Sequence, residues 1–248
     1  MGSRQVELLE QVDSVTGQER CAQGPQNWKA GGYFSRWSFI LDRCKGRSVL
    51  HLGFVGETDG SLEMKVNAFG GGRLHTHLVR VASEVVGVDR DKDAVEGIRS
   101  KFGEAGLMVG DVERLERLPL DRTFDVVLFG DLIEHLSCPG LALEGIRRFM
   151  TPQSELIITT PNAFALLANI RYTLGRFREG NEHVAAYSKL TLPAILERHH
   201  LRMTELYTCF NHPPLSRKEH IKLSIGIPVF KAMPDRGGTL LAVAKSEG

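Results

Sequence analysis

The chain has 248 residues, of which 42% are hydrophobic and 25% charged, ordinary globular values that exclude global disorder and call for a sizeable buried core. Lys plus Arg total 31 against 30 Asp plus Glu. A near-neutral balance gives no reason to propose duplex nucleic acid or an anionic membrane as the main partner.

In chain order, the N-terminus carries no apolar secretory core, because Val6 to Val12 is interrupted by Glu7, Glu10 and Gln11. No apolar run approaches the ~20 residues of a membrane span, and a cytoplasmic location is expected. Residues 1–45 read as a helical or loose N-terminal arm that closes on a helix, Tyr33 to Cys44, with Phe34, Trp37, Ile40 and Leu41 at helical spacing. Short apolar runs then alternate with amphipathic stretches. Strands are expected at Ser48–Leu52, Glu84–Asp89, Leu107–Val109, Phe124–Phe129, Glu155–Thr159, Met203–Phe210 and Gly238–Ala244. Helices are expected at Arg73–Ser83, Asp91–Phe102, Gly140–Met150 and Leu190–His199, the last with Pro193 tolerated in its first turn. Strands that are apolar on both faces and alternate with helices of about ten residues indicate a parallel sheet covered by helices on both sides. The spread cysteines Cys21, Cys44, Cys138 and Cys209 include no Cys-x-x-Cys pair and read as idle thiols. No linker or repeat divides the chain, so a single domain over 1–248 is expected.

Several blocks carry chemistry. Val49-Leu50-His51-Leu52-Gly53-Phe54-Val55-Gly56 is a strand running into a glycine turn, where glycine alone permits close approach of backbone to a ligand. Val85-Val86-Gly87-Val88-Asp89 ends a strand in a carboxylate that can accept two hydroxyl hydrogen bonds. Gly110-Asp111-Val112, the segment Phe124 to Leu136 (FDVVLFGDLIEHL), and Thr151-Pro152 followed by Leu156 to Asn162 complete the series. In this order the blocks resemble the successive motifs of class I S-adenosylmethionine-dependent methyltransferases. The resemblance spans roughly residues 34–210 and implies a Rossmann-like, seven-stranded, mostly parallel sheet whose last strand is antiparallel. It implies S-adenosyl-L-methionine as cofactor, held by His51, Gly53, Phe54 and Gly56 in the turn at the methionine part, Asp89 at the ribose, Asp111 and Val112 at the adenine, and also by Arg90, Gly130 and Asp131.

The glycine turn departs from the family pattern, since Val55 and Glu57 stand where glycines are common and His51 replaces a frequent acid. This leaves open a non-catalytic cofactor-binding relative. A nicotinamide oxidoreductase is disfavoured, because no intact Gly-x-Gly-x-x-Gly follows the first strand. The spacing from Gly53 to Asp89 also exceeds the ~20 residues expected. The surplus, Glu57 to Arg73 with its Gly70-Gly71-Gly72 run, is expected as a non-helical loop over the cofactor site.

For the chemistry, a hydroxyl acceptor must lose a proton. The resemblance implies His135 as the base, a packed, hydrogen-bonded His135 being the other reading; Glu134 either orients it or is a solvated carboxylate. Asp131, Glu134 and His135 with His183 also offer oxygen and imidazole ligands for Mg²⁺ or Mn²⁺; no metal is assigned, and metal-assisted O-methylation stands as an alternative. Residues 161–189 occupy the place of the acceptor-pocket lid, packed by Phe164, Leu166 and Leu167, with His183 and Tyr187 as substrate contacts. The expected activity is O- or N-methylation of a small molecule such as a sugar, glycan or natural-product intermediate, with homodimerisation allowed.

Overall fold

The computed structural model describes residues 36–56, 61–70, 73–176, 182–209 and 232–247. The arm before residue 36 and Cys21 lie outside them. The described segments form α1 (Arg36–Cys44), β1 (Ser48–Leu52), α2 (Leu62–Gly70), α3 (Leu74–Val81), β2 (Glu84–Asp89), α4 (Lys92–Phe102), β3 (Leu107–Val109), β4 (Phe124–Gly130), α5 (Pro139–Ile146), β5 (Met150–Pro161), α6 (Leu166–Thr173), α7 (Thr191–Arg198), β6 (Leu201–Cys209) and β7 (Thr239–Ser246). The strands make one seven-stranded sheet in the order β3-β2-β1-β4-β5-β7-β6. Strands β1 to β5 pair in parallel, and β7 runs antiparallel to both β5 and β6.

Alternation along each strand builds two apolar layers, because successive side chains leave a strand on opposite faces. Leu50, Leu52, Val127, Phe129, Leu156, Ile158, Leu240 and Ala242 pack on one face with Leu143 and Ile146 of α5 and Leu192 and Leu196 of α7. Their neighbours Val49, Val126, Leu128, Ile157, Leu241 and Val243 face the other way, against Ile40 and Cys44 of α1 and Leu78 of α3. Each fully buried aliphatic side chain contributes about 1.5–3 kcal/mol, so both layers are needed to hold the sheet. Local signals mark the helix ends. The Asp91 carboxylate accepts from the Ala94 amide at 3.0 Å and opens α4. Gly103, at φ 68°, closes the same helix. Pro139 begins α5.

Three expectations are corrected. Residues 62–70 are helical: Val66 and Phe69, one turn apart, are buried with Val95 and Ile98 of α4 and with Phe54. That burial outweighs the low helix propensity of glycine, and the helix runs to Gly70. The helix after Pro139 stops at Ile146 and passes through a tight turn, Arg147–Phe149, into a strand that starts earlier than expected, at Met150. The 164–174 segment is not packed as a lid, for Phe164 is 51% and Leu167 55% exposed, and no residue of α6 is buried. Cys44, Cys138 and Cys209 are free thiols. Among the described residues no helix is long and apolar enough to cross a membrane.

Beneath the glycine turn, α3 sets His75 against His51 of β1. Both are buried, the rings stack at 5.3 Å, and their Nδ1 atoms are 3.1 Å apart. Two nitrogens at that distance need one to donate and one to accept, so at most one Nδ1 carries a proton. Burial pushes His75 down to about 4, and burial followed by the neighbouring His75 pushes His51 well below its ordinary value. An unfolded imidazole takes up its proton near pH ~6.5, so this stability is complete above that pH and is lost as pH falls toward 4. At pH 5 His75 alone should cost roughly 2 kcal/mol, seen as a lower thermal midpoint at pH 5 than at pH 7. A His75 signal titrating near its unfolded value in the native protein would contradict the pairing.

Candidate active site

The carboxyl ends of the parallel strands all open on one edge of the sheet, and the strand order reverses between β1 and β4. A crevice outside the carboxyl ends at such a switch point is where ligands bind in open α/β sheets. The loop after β1 and the loop after β4 touch there. Gly53 sits at φ +71°, and a Cβ on it would lie 2.9 Å from Leu132 Cδ2, so only glycine fits both the dihedral and the space. Gly56, at φ +66°, has the Arg73 guanidinium where a Cβ would stand.

Asp89 ties this turn to β2. Its Oδ2 accepts from the Val55 amide at 2.9 Å and its Oδ1 from the Asp91 amide at 3.0 Å. Burial pushes its pKa up, and the two amides oppose that. Arg73 donates to the Val55 carbonyl from the other side. Of the residues expected at the turn, Gly53 and Gly56 lie at the crevice, whereas the side chains of Phe54 and His51 point into the core. Phe54 packs against His75 and Phe69, which leaves only its main chain for a ligand. Asp111 is exposed at the end of β3 and accepts from the Glu113 amide at 2.9 Å. Val112 beside it is buried, Arg90 is exposed, and Val109, Gly110, Asp111, Arg114 and Leu118 line an open cleft.

The loop after β4 separates Asp131 from Glu134 and His135, which stand close to it in sequence. Asp131, at φ 45°, turns toward α1, where its carboxylate accepts from Arg36 and from Thr159 Oγ1 at 3.0 Å. Glu134 points the opposite way and is 1% exposed. Its Oε2 accepts from Thr160 Oγ1 at 2.9 Å, and its Oε1 has no hydrogen-bond partner among the described residues. Burial, and then the charge of Asp131, push its pKa up to about 7. His135 lies beside His183, ring centroids 4.8 Å apart and nearly perpendicular, and its Nδ1 is 3.1 Å from the Glu182 carbonyl oxygen. Tyr187 is buried in the main core, where burial and then the Glu134 charge raise its pKa.

Glu134, His135 and His183 are thus brought together, and Asp131 is not part of their cluster. Sequence reading missed Arg36, Thr159, Thr160 and His75, which bond to expected site residues, and Arg73, which bonds to the Val55 carbonyl of the turn. Arg36 begins a helix that the apolar spacing did reveal, but no local pattern pairs it with a residue on another element.

These bonds revise what Asp89 does. Asp89 anchors the 53–56 turn, so Asp89→Ala should destabilise the fold by about 1–3 kcal/mol through the unpaired amides. Thermal unfolding would check this. An unchanged midpoint would mean the turn holds itself.

Comparison with known proteins agrees with this geometry. Residues 67–158 match the methyltransferase domain family. A ubiquinone biosynthesis O-methyltransferase of Azorhizobium caulinodans is 31% identical over 137 residues, covering 52% of this chain and 52% of that protein. The Proteus mirabilis protein of the same name is 27% identical over 142 residues, covering 53% and 58%. The chain thus spans about half the length of the curated relatives it matches. Among solved structures, an S-adenosylmethionine-dependent methyltransferase from Archaeoglobus fulgidus superposes with a TM-score of 0.53 at 20% identity, over 85% of this chain and 91% of that one, a likeness that shows the fold. Ordered motifs, sheet topology and the matched segment are together similar to those of class I S-adenosylmethionine-dependent methyltransferases.

Proposed function

We propose that the protein transfers the methyl group of S-adenosylmethionine to a hydroxyl of a small molecule. The observation that carries this reading is the junction, at one sheet edge, of a glycine turn anchored on Asp89 with the Asp131–His135 loop. The cofactor suits this crevice. Gly53, at φ +71° and packed against Leu132, turns the chain without a side chain and leaves its main chain for a ligand, and Asp89 stands at the strand end where ribose hydroxyls would be met. Asp111 and Val112 would take the adenine, and the main chain of Gly53, Gly56 and Gly130 the methionine part. The Arg36–Asp131 pair presents one charge of each sign, which suits the carboxylate and ammonium of that end.

When bound, the cofactor supplies an electrophilic methyl on a sulfonium, so the protein's work is alignment and proton removal. O-methylation is favoured over N-methylation for two reasons. The relatives at 31% and 27% identity are named as O-methyltransferases, and a hydroxyl, unlike a free amine, needs the help that Glu134 and His135 offer. His183 and Tyr187, on the segment that packs against them, would contact the acceptor.

Calorimetry with S-adenosylhomocysteine should show one site per chain, and failure to bind it would overturn the reading. His135→Ala should lower turnover by ~10²–10⁴-fold while leaving that affinity within about twofold, since the side chain stands on the acceptor side. A wild-type rate in this variant would remove His135 from the chemistry.

A further inference from the structure

Glu134 poses a problem that methyl transfer alone does not answer. A buried carboxylate needs a charge partner or hydrogen bonds to both oxygens. Glu134 has a hydrogen bond at Oε2 only, and its Oε1 is buried without a partner among the described residues. Nearby Arg36 is committed to Asp131. What does face Glu134 is a pair of imidazoles. One ligand atom each from Glu134, His135 and His183 lie within 4.8 Å of one another.

We infer that Glu134, His135 and His183 form a binding site for one divalent first-row transition ion. Donors on a metal shell of ~2.1 Å radius stand ~3–4 Å apart, so small side-chain shifts close the set. The hydrogen bonding prepares the ligands. A carbonyl can only accept, so the contact with Glu182 fixes the His135 proton on Nδ1 and puts the lone pair on Nε2, the arrangement by which protein histidines are oriented toward metals. The Glu134 carbonyl oxygen accepts from the amides of Val184 at 2.9 Å and Ala185 at 3.2 Å. Those bonds lock the 182–185 segment to the turn after β4 and hold His183 beside His135. Thr160 orients the carboxylate. Two imidazoles with a single carboxylate suit Mn²⁺, Co²⁺ or Zn²⁺; Mg²⁺ and Ca²⁺ prefer all-oxygen shells. Asp131, engaged by Arg36 and Thr159, is not a ligand.

The site itself stands on geometry, and its use rests on the methyl-transfer reading. Three protein ligands leave coordination positions for the acceptor oxygen. The ion lowers the pKa of that hydroxyl, and the proton leaves to solvent. The oxygen lone pair then forms the new O–C bond as the S–C pair returns to sulfur, which becomes a neutral thioether. The ion keeps its oxidation state throughout.

The test uses the whole chain, stripped with chelator and titrated with Co²⁺ by calorimetry and visible absorption, without cofactor. One Co²⁺ per chain with a ligand-field band is expected. His183→Ala and Glu134→Gln should each weaken binding by ~10-fold or more, with circular dichroism confirming the fold. His199→Ala should leave it unchanged, since that ring pairs with Glu144. No stoichiometric binding by the wild type, or unaltered affinity in folded His183→Ala, overturns the site. S-adenosylhomocysteine titrated into the same stripped protein separates the two readings. If it binds and Co²⁺ does not, the metal site falls and methyl transfer stands. If Co²⁺ binds and it does not, the site stands and its use in methyl transfer falls.

Discussion

β1 and β4 lie side by side, Val49 to Leu52 opposite Val126 to Phe129, and their order in the sheet reverses the sense of the chain. β2 and β3 lie on one side of this pair, β5, β7 and β6 on the other. Because the two strands are parallel, their carboxyl ends deliver two loops to the same edge. Because they are neighbours, those loops must touch, as Gly53 and Leu132 do. The pairing is held by burial on both faces, so the crevice sits on densely packed strands. Loop residues can then carry charge and irregular backbone without loosening the core.

Three of the carboxylates on that edge, Asp89, Asp131 and Glu134, are each stabilised differently. Asp89 uses two backbone amides and so anchors the glycine turn. Asp131 uses a guanidinium and a hydroxyl, Arg36 and Thr159, and so joins the N-terminal helix to the site. Glu134 has Thr160 for one oxygen and a histidine pair opposite. The first two arrangements are closed and hold the crevice in shape. The third is open, and openness next to two imidazoles is what makes it chemically interesting. A divalent ion there would complete its hydrogen-bond and charge pattern in the way that Arg36 completes that of Asp131.

The buried His51–His75 pair plays a quieter part. It fills the space under the glycine turn with two aromatic rings that also carry polar atoms, and Phe54 and Phe69 pack on them. Neutral imidazoles there support the turn at physiological pH, and the same burial makes the support acid-sensitive. The turn therefore depends on Asp89 from above and on this pair from below.

Most of the sheet was legible in the sequence. β1, β2 and β3 have the expected bounds, because short apolar runs ended by glycine or aspartate are local signals, and the parallel order follows from helices lying between them. Gly53, Asp89 and the Asp131–His135 loop were legible for the same reason: each is a strand end. Tertiary structure decided the rest. Val66 and Phe69 make α2 a helix only because α4 offers a face to bury them, which the glycine run beside them obscured. Phe54 turned inward because Phe69 and His75 meet it, and Leu167 remained exposed because nothing described meets it. Asp131 and Glu134 are three residues apart, and no pattern says which joins the histidines. That choice was made by Arg36 and His183, residues on distant elements, since charge pairing and burial act through space and leave no mark on neighbouring positions of the chain.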